Sequence, residues 1–306
     1  MLANLWPHRI AVVLACATVP LLFIGGLVTS KGAGLAVPDW PTTFGYNMFL
    51  YPWSKMVGNI FYEHSHRLVA SSVGLLTVAL ALTLWFREER NWLRWLGIAA
   101  LGLVVLQGVL GGLRVILLEN TLAIIHAAFA QAFFALTVSL VVFTSASWSR
   151  NLQNDPLADG VRLRRLCMST TAVIYIQAVF GAILRHTGER LDAHLFFAAV
   201  VALHVALLVS RITRLYPQQV TLARPAGLLA TVLLTQLSLG FASYLAKFTS
   251  AVSLTTGSVV LLTTSHLVVG ALMLATSVVL TLYCYRLSLA AEISARPELL
   301  KEPLSV

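Results

Sequence analysis

Phe61-Tyr-Glu63-His64-Ser-His66-Arg67-Leu-Val-Ala-Ser-Ser-Val-Gly-Leu-Leu-Thr-Val-Ala-Leu-Ala-Leu-Thr-Leu-Trp-Phe86 is polar at its head and apolar for the rest of its length. Crossing a bilayer takes about 20 apolar residues, so this stretch predicts a transmembrane helix that carries its charges and imidazoles at one rim. Seven further runs of the same kind lie near 10–30, 93–117, 120–146, 164–186, 191–213, 223–246 and 255–286. Only 11% of the 306 residues are charged and the mean hydropathy is +0.84, against roughly 25% charged in a soluble domain. The expected fold is an all-α membrane protein of eight transmembrane helices.

A net charge of +9 would suit a nucleic-acid binder, but its distribution argues otherwise. With the N-terminus in the cytoplasm, the inner segments collect Arg9, Arg87, Arg90, Arg94, Arg150, Arg162, Arg164, Arg165, Arg211, Arg214, Arg224, Arg286, Arg296 and Lys301, two thirds of the 21 basic residues. That is the positive-inside pattern. It places both termini in the cytoplasm of a cell (inner) membrane, with lipid rather than nucleic acid around the chain. The first run is longer than the roughly 7–15 residues of a signal-peptide core and is expected to remain as helix 1. The longest outer segment, 31–60, is rich in Pro, Gly and aromatics and reads as a folded cap.

The halves echo each other. Gly25-Gly26 near the end of helix 1 answers Gly181 near the end of helix 5. Gln107-Gly-Val-Leu-Gly111 and Gln236-Leu-Ser-Leu-Gly240 occupy matching places in helices 3 and 7, with a third copy, Gln177-Ala-Val-Phe-Gly181, in helix 5. Small residues at this spacing also serve plain helix packing; the repeated glutamines favour duplication. The expectation is two pseudo-symmetric four-helix bundles, residues 1–150 and 151–306, related by an axis along the membrane normal.

Histidine inside a span is costly and usually functional. His66, His126, His194 and His266 recur at the head of helices 2, 4, 6 and 8, all on the outer side, at roughly 5–15 Å depth by helix rise. Imidazole pairs from different helices at similar depth suit six-coordinate heme iron in a bundle core. Zinc usually requires three or four protein ligands, and Cys16, Cys167 and Cys284 show no C-x-x-C or C-x-x-C-H spacing, which removes covalent heme attachment. His64 points about 200° away from His66, and Glu63 shares the face of His66, so His66 is the chosen ligand. His204 reads as a core histidine, His186 as a ligand-rim contact and His8 as interfacial. Arg67, Arg114 and Arg185 lie near outer helix ends, where a guanidinium can pair with a heme propionate; Arg114 also fits outward snorkelling. Glu63 fits either acid–base and electrostatic work beside the heme or a helix N-terminal acid favoured by the macrodipole.

Glu63-His64-Ser65-His66-Arg67, preceded by Gly32-Ala-Gly-Leu-Ala-Val-Pro-Asp39-Trp40-Pro41, resembles the heme A synthase family. The resemblance runs over nearly the whole chain, including the Arg185-His186-Thr187 turn. It implies an oxidoreductase acting on a CH group: the C8 methyl of heme O becomes the formyl of heme A by successive hydroxylations with water-derived oxygen. His66 and His126 would flank the substrate heme. His194 and His266 would ligate a permanent heme b as electron relay. Glu63 would assist loss of hydrogen from the methyl or stabilise the cation that water attacks. Asp39 and Trp40 become a candidate outer-loop site.

Two departures stand out. Residues 31–60 contain no cysteine pair, as in the mitochondrial-type branch, which excludes a thiol relay there. Leu195 stands where the family often has Arg after the second-half histidine, so Arg185 or Arg190 would serve that heme's propionates. The rival readings are a dihaem electron-transfer cytochrome and a heme carrier. Heme O synthase and the terminal oxidase are expected partners on pathway grounds, and self-association is a further expectation.

Overall fold

The computed structural model describes residues 5–149 and 159–295. Arg150, the expected division at 150/151, Arg296 and Lys301 lie outside the described residues. Eight long helices follow in order: α1 (Leu5–Ser30), α2 (Gly58–Arg87), α3 (Asn91–Leu117), α4 (Asn120–Thr144), α5 (Gly160–Thr187), α6 (Leu191–Leu215), α7 (Val220–Phe248) and α8 (Thr256–Ala295). Each contains a stretch long and apolar enough to cross a membrane. The shortest have 25 residues, about 37 Å at 1.5 Å per residue, which exceeds the roughly 30 Å hydrocarbon core. Among the described residues there is no strand, only a single bridge between Thr43 and Tyr46.

The expected spans match these helices with shifted ends. Helix 4 stops at Thr144 because the chain turns extended at Ser145, and a short helix, Ala146–Ser149, follows. The last helix runs on to Ala295, past the expected 286. Helix ends are set by local capping that hydropathy does not register: α3 ends on Leu118 in the left-handed region (φ 57°), and α5 ends on Gly188 (φ 76°), whose N–H bonds the Leu184 carbonyl at 3.0 Å.

Helices α1 to α4 pack as a ring, α1 on α2, α2 on α3, α3 on α4 and α4 on α1; α5 to α8 pack in the same sequence. The two rings meet through α1 on α8, α4 on α5 and α4 on α8. One apolar core fills each ring, centred on Leu14, Leu80, Leu84, Leu93 and Leu140 in the first and on Leu163, Ile174, Leu208, Leu222 and Leu229 in the second. A third, smaller cluster of Leu22, Phe134, Ala271 and Ala275 joins them. Leu75, Phe86, Leu234 and Phe241 point outward, as expected where lipid replaces water as the surrounding solvent.

The helices α2, α4, α6 and α8 all begin at the end that carries the 31–57 loop, and each holds its histidine within about its first three turns. The loop itself is folded, with helical turns at Met48–Leu50 and Trp53–Lys55.

Candidate functional site

The first turns of α2 grip the loop. Glu63 is 4% exposed; its Oε2 accepts the Val37 N–H at 2.9 Å and its Oε1 accepts Arg67 Nη2 at 2.8 Å. Arg67 also donates to three loop carbonyls, Asp39 (2.7 Å), Thr42 (3.0 Å) and Val37 (3.0 Å). His64 turns the other way, its Nδ1 3.1 Å from Thr43 Oγ1 and its ring against Tyr51. Asp39 caps the loop turn, accepting from Thr42 Oγ1, Phe44 N and Gly45 N. Burial raises the Asp39 pKa, but these donated bonds, Gly45 foremost, outweigh it and hold the carboxyl below its ordinary value. Trp40 lies over α3 so closely that a Cβ on Gly112 would sit 2.3 Å from its ring, and Gly34 admits the Arg114 guanidinium in the same way at 2.5 Å.

Each of the four repeated histidines rests against a glycine of the preceding helix. A Cβ on Gly25 would lie 3.0 Å from His66 Cε1; the corresponding distances are 3.5 Å for Gly111 and His126, 3.2 Å for Gly181 and His194, and 2.9 Å for Gly240 and His266. All four Nδ1 atoms are buried without a well-formed hydrogen bond. The rings of His194 and His266 stand 6.3 Å apart between centroids, inclined at 79°. His66 and His126 are electrostatic neighbours of one another and of Arg114.

Arg114 interacts with Glu63 across the first ring, and among the described residues its guanidinium makes no hydrogen bond or salt bridge. Arg185 is tied across the junction of the rings, donating to Gly26 O (2.7 Å), Ser30 Oγ (2.5 Å) and Thr263 O (3.1 Å). His186, at the end of α5, has Arg114, Arg185 and His126 as electrostatic neighbours. His204 bonds the Val200 carbonyl within its own helix, and His8 meets Thr144.

The structure thus brings Glu63, His66, Arg67, Arg114 and His126 together at the loop end of the first ring, with Asp39 and Trp40 in the loop above. His194 and His266 meet in the second ring, with Arg185 as a charged neighbour of His266 at the junction. The sequence reading missed that Arg67 spends its donors on the loop, that Arg185 bridges the two rings, and that the glycines seat the imidazoles. The last had a signal: Gly25, Gly111, Gly181 and Gly240 recur with the histidines, one per helix pair.

The sequence model of COX15-CtaA, described as cytochrome oxidase assembly protein, matches residues 8–193, more than half of the chain. The chain belongs to the COX15-CtaA family. Relatives named heme A synthase include that of Shouchella clausii (strain KSM-K16), 27% identical over 186 residues, 60% of either chain. That of Symbiobacterium thermophilum is 32% identical over 192 residues, 58% of this chain and 59% of its own. That of Lysinibacillus sphaericus (strain C3-41) is 29% identical over 185 residues, 57% of each. The matches therefore span about three fifths of these relatives. The COX15-CtaA match covers Glu63, His66, Arg67, Arg114, His126 and Arg185 and ends one residue before His194.

Proposed function

We propose that this multi-pass membrane protein is a heme A synthase, with heme O as substrate at His66 and His126 and heme b as resident cofactor at His194 and His266. The reading rests on one observation above the others, a contrast between the two histidine pairs. In the first, Glu63 and Arg67 flank His66 and form a buried ion pair; at the same offsets from His194 stand Leu191 and Leu195. A pair equipped with a carboxylate and cations suits chemistry. A pair with leucine at those two positions suits ligation and electron transfer alone.

Heme fits both pairs by donor chemistry. Each of the four imidazoles has its Nδ1 buried and unpartnered among apolar helices, and the 6.3 Å between the His194 and His266 rings accommodates one metal ion with imidazole–metal bonds of about 2 Å. Heme b, when bound there, supplies one-electron transfer. Arg114, whose guanidinium makes no hydrogen bond or salt bridge among the described residues, would take a propionate.

In each hydroxylation of the C8 methyl, water supplies the oxygen, two electrons pass to an external electron acceptor and two protons are released; a second round gives the geminal diol, which loses water to the aldehyde. Glu63 has two acceptor oxygens, one fixed by Val37 N–H and one by Arg67. That places a negative charge of fixed orientation one turn from His66, able to take a proton or to stabilise developing positive charge. The loop above it excludes bulk water and sits on the non-cytoplasmic side by the distribution of basic residues.

The test is expression in a membrane host that makes heme O and lacks heme A, followed by heme extraction and chromatography with mass detection. Heme A is expected with the wild type and absent with Glu63→Ala. Recovery of heme B alone, with a bis-histidine spectrum, would replace this reading with an electron-transfer cytochrome.

A further inference from the structure

The face of α2 that meets lipid continues past the start of the helix. Phe61, Leu75, Leu82 and Phe86 are exposed, and separations close to whole helical turns keep them on one side. Phe86 is the last apolar residue before Arg87. Counting about 20 residues, or about 30 Å, back from Phe86 puts the opposite edge of the hydrocarbon near His66. Phe61 then stands about 7 Å beyond that edge, within the headgroup layer, which adds about 5–7 Å on each side.

The loop before α2 folds back to this same level. The buried Tyr51 packs its ring 5.1 Å from that of His64, and Thr43 Oγ1 lies 3.1 Å from His64 Nδ1. His64 belongs to the second turn of α2, so this part of the loop runs beside the helix instead of rising away from it. The helical turns Met48–Leu50 and Trp53–Lys55 flank Tyr51, and neither holds a buried residue. Leu50 is 75% exposed and Trp53 78%, with Phe49 and Val57 also uncovered. From Trp40 to Tyr62 the chain has no acidic residue and one cation, Lys55, whose ammonium donates to the Tyr46 hydroxyl at 2.9 Å.

Aromatic side chains with a polar tip favour the membrane interface, where the ring finds acyl chain and the tip finds water. A water-facing loop gains nothing from large apolar groups turned outward, because each exposed apolar surface costs free energy in water. The height of the patch and its continuity with the lipid face of α2 identify the bilayer as what covers it. We propose that Phe49, Leu50, Trp53 and Val57 form an interfacial anchor, seated in the headgroup–acyl boundary of the leaflet at the loop end of the helices. The loop is thereby held on two sides, its 37–42 limb by Glu63 and Arg67 and its 49–57 limb by lipid. This inference needs only the membrane-spanning fold and is independent of the heme reading.

The test uses the full chain in lipid nanodiscs. With Cys16, Cys167 and Cys284 replaced by alanine, a nitroxide is attached at Leu50→Cys, at Trp53→Cys or, as an aqueous reference, at Glu189→Cys, an exposed position at the same end of the molecule. Its relaxation by oxygen, which concentrates among acyl chains, is compared with that by a water-soluble nickel chelate. Oxygen is expected to relax the label more strongly at Leu50→Cys and Trp53→Cys, and the order to reverse at Glu189→Cys. Nickel-dominated relaxation at the two loop positions overturns the proposal, as does shielding from both reagents, which a second copy of the chain would give. A second measurement keeps the native cysteines. The difference in tryptophan emission between wild type and Trp53→Phe is expected to shrink in lipids brominated near the headgroup, and a difference of unchanged size overturns the proposal.

Discussion

Glu63 and Arg67 form a buried pair whose other bonds all run to the loop. Removing one member of such a pair leaves the other charged in an apolar setting, which costs about 3–5 kcal/mol. Arg67→Ala is therefore expected to loosen the loop and to lower the thermal midpoint in detergent, whereas Arg67→Lys keeps the charge and loses the fork that spans four acceptors. Limited proteolysis of residues 31–57 reports the first effect; equal cleavage of wild type and Arg67→Ala would contradict it. Asp39 makes a prediction in pH. Its folded pKa lies below its unfolded value, so its contribution is complete above the free-carboxylate range and is lost as pH falls through the folded value. The loop should become protease-sensitive only in acid below about pH 4, and Asp39→Asn should be sensitive at neutral pH as well. That His64 and His66 face different ways was legible from the 100° step between helical residues. The destination of Arg67 was not, because main-chain carbonyls gathered from a loop leave no trace in the side-chain pattern.

At the scale of the elements, apolar runs of about 20 residues between charged breaks encode the eight spans, and the alternation of histidine-bearing helices encodes that the four repeated histidines gather at one end of the molecule. Their ends escaped that reading, since Leu118 and Gly188 end helices through left-handed backbone. The glycines were ambiguous until their neighbours were known: a small residue opposite another helix and a small residue opposite an imidazole look alike in sequence. The seats now separate them. Gly240→Ala would set a methyl 2.9 Å from His266 Cε1, and Gly25→Ala one 3.0 Å from His66 Cε1, while Gly111→Ala meets His126 at an ordinary 3.5 Å. The first two are expected to weaken heme retention by about tenfold or more and the third to be tolerated. Heme content per chain after purification distinguishes these outcomes, and equal loss in all three would sink the steric account.

Across the whole molecule, the two rings touch along α1, α4, α5 and α8, and the charged group at their junction is Arg185. Its three acceptors belong to α1 and α8. Hydrogen bonds to charged groups contribute about 1.5–3 kcal/mol each, so Arg185→Leu is expected to lower the thermal midpoint and to perturb both sites together, read as matched changes in the two low-spin signals. A change confined to the second ring would show that the rings are independent. Arg185 also sits 155 residues after Ser30 in the chain. At about 5–20 residues per second it leaves the ribosome roughly 8–30 seconds later. The junction is therefore closed from the second half backwards, with the first ring already in the bilayer and its Ser30 hydroxyl and Gly26 carbonyl waiting for a cation that has yet to be synthesised.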